Sequence, residues 1–450
     1  MHSRPEHPDS PAPRKSHARH LPGAGALAAT AMLLLTAGCA YMGTLTRQWH
    51  AAFSGPSQVL TQQTSPDRCR VVYGRVLADS SERCPWLVAA VSLKYGSQEV
   101  VDAYQMSRPG YYSLYLPDGE YRVLVFADVN HDSLFEATEC AAESLVSVDF
   151  DSTGPSVLGA LDLSAHSGVL KQLDIPFTRS LRPERGLAVS RYYPPGAIRS
   201  IDDEIFSEKN GILGLYNPAA FLQNAGGYFY ALSERDMRKT PIIFVHGITG
   251  TPQNWRTVVK NIDLTRFDPW FFYYPSGEKL DKVADIMFEI FFSGHIIELH
   301  RREAIVIAHS MGGLVARAAI NKYAQSGRDD FLKLYISICT PYAGNESASA
   351  GVRKAPVVIP AWYDVSTGSQ FLTDLYKTPL PQWVDFRLFF AFHNDGTFGG
   401  SSDGTIELSS QLDPRAQFAA RDIYGFNETH TSVLESPDVL RKINEILAEY

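Results

Sequence analysis

Apolar positions fall into two regimes along the chain. Between about residues 68 and 178 they come as short runs, Arg70–Leu77, Leu87–Leu93, Tyr111–Leu116, Tyr121–Phe126 and Leu145–Val148, separated by turn residues such as Pro117-Asp118-Gly119. Short, regularly spaced strands of this kind predict a small β-sandwich. From about residue 236, apolar strands alternate with helical periodicity. Strands are predicted at Thr240–His246, Trp270–Tyr274, Ala304–Ala308, Leu332–Cys339 and Phe386–Phe392, and helices at Pro252–Ile262, Lys279–Leu299, Gly312–Tyr323 and Pro437–Tyr450. Gly226–Arg235 is compatible with a first strand. That alternation predicts a mostly parallel sheet with helices on both faces. The run Ile286–Leu299 is broken by Glu289, His295 and Glu298, which makes it a buried helix and not a membrane span. No repeat at solenoid or propeller periods is visible.

The N-terminus follows a third pattern. Arg4, Arg14, Lys15 and Arg19 precede an apolar run from Leu21 to Leu35, which ends in Thr36-Ala37-Gly38-Cys39. A basic start, a short apolar stretch and small residues read as an export signal. Ala37-Gly38-Cys39 resembles the lipobox of bacterial lipoproteins, with Leu35 one residue earlier than that family's usual leucine. The resemblance implies lipidation of Cys39 and attachment to a membrane, in a bacterial outer membrane or on its periplasmic face. The polar stretch to residue 67 then reads as a tether.

Composition narrows the partners. The chain has 450 residues, is 45% hydrophobic and carries a formal charge of −8, which argues against nucleic acid as its main partner. With Cys39 assigned to lipid, Cys339 lies in an apolar strand and reads as a buried thiol. One disulfide among Cys69, Cys84 and Cys140 is expected after export. No cysteine or histidine spacing suggests zinc.

The chemistry concentrates in Ile305-Val306-Ile307-Ala308-His309-Ser310-Met311-Gly312-Gly313, an apolar strand meeting a helix through a tight turn with serine at its apex. Upstream, Ile242-Ile243-Phe244-Val245-His246-Gly247-Ile248 is an apolar strand ending in His-Gly. The A-H-S-M-G stretch resembles the nucleophile elbow of small bacterial lipases, with Ala308 where G-x-S-x-G has its first glycine. Ser337-Ile338-Cys339-Thr340-Pro341-Tyr342-Ala343-Gly344 and Asp364-Val365-Ser366-Thr367-Gly368-Ser369-Gln370-Phe371-Leu372 resemble further stretches of triacylglycerol lipases. The resemblance, over roughly 236–450, implies an α/β-hydrolase fold with Ser310 as nucleophile. It also implies the N–H groups of Ile248 and Met311 as oxyanion donors.

In that fold the order along the chain is serine, acid, histidine. Of thirteen histidines only His393 and His430 follow Ser310. His430, in Thr429-His430-Thr431-Ser432-Val433-Leu434 before the last helix, is the expected general base; His393 ends a strand. Asp403, in Ser401-Ser402-Asp403-Gly404-Thr405-Ile406, is favoured as the acid, with Asp395 in Asn394-Asp395-Gly396 as the alternative. Asp-Gly is also an ordinary turn signal.

The expected organisation is therefore an export signal (1–38), a lipidated tether (39–67), a β-rich module (68–180), a connection with a first strand (181–235) and a hydrolase domain (236–450). Residues 345–382 form either a cap over an acyl pocket or a plain helical excursion. In the β-module, the hairpin around Pro117-Asp118-Gly119 resembles transthyretin-like and carboxypeptidase-regulatory-like modules. Asp128, Asn130, Asp132, Leu134, Glu136 and Glu139 there fall at the spacings of a calcium-binding EF loop. Ser133 replaces the usual glycine and the loop follows a strand, so a solvated acidic turn is the reading favoured. The whole predicts a carboxylic ester hydrolase acting on acyl esters or lipids, with no cofactor implied. An acyltransferase, or a surface-binding lipoprotein without activity, are the alternatives.

Overall fold

A computed structural model describes residues 69–78, 84–93, 99–106, 109–149, 157–158, 161–166, 168, 170–180, 197–225, 228–293, 303–327, 331–393 and 401–450. Cys39 and Asp395 lie outside these residues, as does the side chain of Cys69.

The short apolar runs of the first region form β1 (Cys69–Leu77), β2 (Trp86–Ser92), β3 (Val100–Met106), β4 (Tyr111–Pro117), β5 (Gly119–Ala127), β6 (Leu134–Glu136) and β7 (Cys140–Val148). Three short strands follow, β8 (Val157–Leu158), β9 (Leu163–Ser164) and β10 (Thr178–Ser180). One sheet runs β4-β1-β8, with β9 also pairing β1, and the other runs β3-β2-β5-β7. Val72 of β1 and Leu114 and Leu116 of β4 share a core with Val88, Ala90, Val123 and Val125 of β2 and β5. Two sheets therefore pack face to face. The opposite face of β2 and β5 is covered by Phe135, Leu173, Ile175 and Phe177, so every residue of β2 is buried. Its uninterrupted apolar run follows from that double covering. β3, which sequence missed, is an edge strand whose Asp102 and Gln105 break the apolar signal. Cys140 is a buried thiol that donates to the Ala142 carbonyl at 3.3 Å and takes part in no disulfide. This corrects any pairing that included it.

The second region builds one seven-stranded sheet from β11 (Phe229–Ala231), β12 (Thr240–Val245), β13 (Phe267–Phe272), β14 (Ala304–His309), β15 (Leu332–Ile338), β16 (Asp385–Ala391) and β17 (Asp422–Phe426), in the order β11-β13-β12-β14-β15-β16-β17. All neighbours are parallel except the edge pair β11–β13. Alternate residues feed two cores. Ile243, Val245, Val306 and Ala308 meet Val283, Leu314 and Val315 on one face. Ile242, Phe244, Ile305 and Ile307 meet Val258, Val439 and Ile443 on the other. Burial on both faces explains why these strands read as continuous apolar runs. This is the α/β-hydrolase arrangement. The chain order reverses at β12, between β13 and β14, and the crevice beyond the C-terminal ends of such strands is where open α/β sheets bind ligands.

Two local features differ from expectation, and a third takes one of the forms expected. The helix expected over Lys279–Leu299 is helical over Leu280–Met287, then widens to a π-turn over Phe288–Phe292; 294–300 lie outside the described residues. β17 is an additional strand, half exposed and interrupted by Gly425, which hid it. The segment 345–382 folds as helices Glu346–Lys354, Pro360–Val365 and Gln370–Asp374. It is pinned by the Leu280 N–H to Asp364 at 2.7 Å and by burial of Ile359, Ala361 and Leu372. No helix among the described residues is long and apolar enough to cross a membrane.

Two polar devices fix the ends of the central strands. At the C-terminal end of β12, His246 is buried, stacks on Tyr274 with ring centroids 4.3 Å apart and accepts the Tyr274 N–H at its Nε2. Its proton therefore sits on Nδ1, facing the Gly247 carbonyl at 2.8 Å. Burial pulls its pKa down to about 4. At the end of β14, burial and then the neighbouring His430 pull His309 down to about 3. At the opposite end of the sheet, Arg387 of β16, with a side chain 3% exposed, binds both oxygens of Asp385 and reaches Asp422 of β17 at 2.5 Å and Glu449 at 2.8 Å.

Both devices have measurable consequences. His246 and His309 stay neutral in the fold but gain protons in the unfolded chain below about pH 6.5. Stability should therefore fall with pH between about 6.5 and 4, by about 1.4 kcal/mol per pH unit for each histidine. Urea midpoints measured from pH 7 to pH 5 should show this, and a flat profile would contradict it. Arg387→Ala leaves the half-buried Asp385 with Arg421 and Tyr450 as its remaining partners and strips Asp422 and Glu449 of their shared cation, which should cost about 1–3 kcal/mol, read as a lowered urea midpoint. A midpoint at the wild-type value would refute the role given to this arginine.

Candidate active site

The chain leaves β14 at His309 and enters the helix Met311–Gln325 through Ser310, which has φ 55° and ψ −133°. A non-glycine residue held in such a region costs roughly 1–3 kcal/mol. The surroundings leave the turn no alternative. A Cβ on Gly312 would lie 2.3 Å from the His246 carbonyl oxygen, and one on Gly247 would lie 2.8 Å from the Cβ of Ser310. The helix start and the end of β12 are thus in backbone contact. The Ser310 N–H also donates to the Ile338 carbonyl of β15 at 2.8 Å.

Ser310 Oγ lies 2.8 Å from His430 Nε2, and His430 Nδ1 lies 2.6 Å from Asp403 Oδ2. With its proton on Nδ1 shared with the carboxylate, His430 offers Nε2 as acceptor to the serine hydroxyl. All three residues are buried. Asp403 is held from several sides. Its Oδ1 accepts the Thr405 and Ile406 N–H groups at 2.8 and 2.6 Å, and its carbonyl accepts the His430 N–H at 2.8 Å. Burial favours its neutral form, but the His430 contact and the two backbone donors outweigh burial and hold its pKa below the usual carboxylate value.

Ile248 and Met311 lie beside the serine in sequence and on its two supporting elements. Among the described residues neither N–H meets a protein acceptor. The Met311 N–H belongs to the first turn of its helix, where such donors are unpaired and the helix end carries partial positive charge. The Ile248 loop is held by Thr249, itself at φ 53°, whose N–H donates to Ser276 Oγ at 3.0 Å, and by the Gly250 N–H to the Gly247 carbonyl at 3.1 Å.

Three supporting residues were not singled out for this site by sequence. His309 faces the His430 carbonyl through Nε2 at 2.8 Å, with the two rings 4.8 Å apart. Its signal was its place directly before the serine. Cys339, at φ 51° and fully buried, sits beside Asp403; burial and then that carboxylate push its thiol well up, so it stays neutral. Ser276 carried no signal at all. His393 is exposed and takes no part in the relay. The donor atoms of His309, Cys339 and His430 lie within 4.8 Å of one another. Both His430 nitrogens and Nε2 of His309 are already engaged, which makes a poor metal site of them.

A buried serine, histidine and carboxylate joined in this order can move a proton from the hydroxyl to the imidazole while the carboxylate holds the resulting charge. Residues 292–353, which include Ser310, match the family model of lecithin:cholesterol acyltransferase. The chain is 29% identical over 119 residues to the lysosomal thioesterase PPT2 homolog of Drosophila melanogaster, a match over 24% of this chain and 38% of that protein's length. Among solved structures it is similar to the Bacillus licheniformis lipase BlEst2 in its mature form (18% identity, 49% of this chain and 97% of that one, TM-score 0.38). It is also similar to phospholipase PlaB of Legionella pneumophila (16%, 38% and 45%, TM-score 0.32).

Proposed function

We propose that the protein is a carboxylic ester hydrolase working on lipid-like acyl esters through an acyl-enzyme on Ser310. The observation that carries this reading is the unbroken hydrogen-bonded chain from Ser310 through His430 to Asp403 at the C-terminal end of β14. In the first step Ser310 Oγ forms a bond to the acyl carbon while its proton passes to His430 Nε2. The carbonyl oxygen takes the negative charge, facing the N–H groups of Ile248 and Met311. The ester C–O bond then breaks and the departing alcohol takes the proton from His430. In the second half water attacks the acyl carbon, His430 accepts its proton and returns it to Ser310, and the carboxylic acid leaves.

The family match over 292–353 favours a second reading, transfer of the acyl group to an alcohol instead of water. The two share every step up to the acyl-enzyme and differ in which nucleophile reaches it. The setting we propose is extracytoplasmic and membrane-bound. It is supported by the basic, apolar and Ala37-Gly38-Cys39 pattern at the N-terminus. The helices of 345–382 would then line the acyl side of the crevice.

A fluorophosphonate probe should label the wild type and leave Ser310→Ala unlabelled; equal labelling of both would refute the nucleophile. Hydrolysis of p-nitrophenyl esters and phospholipids should fall at least about 10³-fold in that variant. Adding a long-chain alcohol separates the two readings, since an acyltransferase diverts product from acid to ester. Asp403→Asn removes the charge partner of His430 and should lower kcat by about 10³–10⁴-fold with KM nearly unchanged. A loss under tenfold would move the acid elsewhere.

A further inference from the structure

We infer that the loop from Asp128 to Glu139 in the β-module binds a calcium ion. The sequence places oxygen donors at EF-loop positions: Asp128, Asn130, Asp132, the Leu134 carbonyl, Glu136 and Glu139. Spacing alone describes a solvated acidic turn equally well. The structure contradicts that reading at both ends of the loop, where Asp128 is 1% and Glu139 3% exposed. Asp128 Oδ1 and Glu139 Oε1 are buried with no hydrogen-bond partner. Among the described residues no lysine, arginine or histidine forms an ion pair with either carboxylate. A buried carboxylate oxygen without a donor is unfavourable unless something else meets it. A cation bound by the loop would supply the partner that both oxygens lack.

The backbone suits the same purpose. Ser133 stands where an EF loop turns through glycine, and it adopts that turn's left-handed conformation with φ 67°. The side chain that counted against the loop in the sequence does not prevent its geometry. Glu139, at the twelfth position, uses Oε2 to accept the Glu136 N–H at 3.1 Å and leaves Oε1 over. A divalent ion with oxygen ligands would meet that oxygen and the unpartnered Oδ1 of Asp128.

The loop also has structural reach. β6 and the turn Ala137–Glu139 lie inside it, and β10 pairs antiparallel with β6, Thr178 opposite Glu136. The Ala137 N–H donates to Phe177 at 3.0 Å, and Phe177 stacks on Phe126 of β5 at 4.0 Å. Calcium would thus fasten the segment through which the chain leaves the β-module.

The test uses the full-length protein stripped with EGTA and titrated with calcium chloride, followed by calorimetry and thermal unfolding. One ion per chain should bind with a Kd of about 10⁻⁴–10⁻³ M or tighter. The β-module's Tm should rise by about 5 °C or more at saturation. Asp132→Asn, at an exposed ligand that keeps its Oδ1 for the Leu134 N–H and loses only the bond from Asn130 Nδ2, should weaken binding at least tenfold, and Glu139→Gln should abolish it. No binding heat and no Tm shift up to 10-fold above that range would overturn the inference. So would undiminished binding in both variants, or an equal shift from magnesium at matched ionic strength. None of these readouts depends on whether Ser310 is a nucleophile.

Discussion

The α/β half of the molecule depends on one close approach, that of the helix Met311–Gln325 to the end of β12. Gly312 lies against the carbonyl of His246 with no room for a methyl group, and Gly247 lies equally close to Ser310. Once these backbones touch, the residue between β14 and the helix has no relaxed conformation left, and Ser310 takes a positive φ. The local strain is offset by the two cores that the sheet buries. Everything chemical follows from where that turn puts its atoms. The Ser310 hydroxyl meets His430 Nε2, and Gly247, at the start of the loop after β12, lies close against it.

In the function proposed, a turn of this kind presents a nucleophile but does not activate one. The partners of Ser310 come from the other half of the sheet, from residues after β16 and β17. The position of those strands relative to β14 rests on Arg387, whose guanidinium joins β16, β17 and the C-terminus at the edge remote from the serine. Near the serine the histidine is held by main chain as well as side chain. Its N–H goes to the Asp403 carbonyl and its own carbonyl faces His309. His430 is therefore fixed in place before any proton moves, which reduces the reorganisation needed during reaction.

What could be read from sequence tracks how far each feature is written locally. The buried strands β12, β14 and β15 were legible because burial on two faces leaves an apolar run. β3 and β17 were not, because an edge strand keeps polar residues such as Asp102 and Asp422 and looks like a loop. Short stretches with a required chain order pointed to Ser310 and His430, which lie 2.8 Å apart in the structure. Arg387, Cys339 and Ser276 were not, because each matters through partners 27 or more residues away and lies in a segment that gives no hint of them. In the acidic loop, spacing was visible but burial was not, and burial is what separates a ligand set from a solvated turn.

The acid shows the same division at its sharpest. Asp395 and Asp403 are each followed by glycine, and an Asp-Gly pair predicts a turn in either case. What makes Asp403 a partner for His430 lies in the residues after the pair. Gly404 turns at φ 91°, which brings the Thr405 and Ile406 N–H groups back onto Oδ1 and leaves Oδ2 facing the imidazole. The His430 contact and then those two donors compensate the burial that would otherwise neutralise the carboxyl, so the group remains charged. A carboxylate at the mouth of a sheet becomes useful to a histidine only when its second oxygen is already satisfied. That condition is set by three consecutive residues, Gly404, Thr405 and Ile406, and not by the aspartate itself.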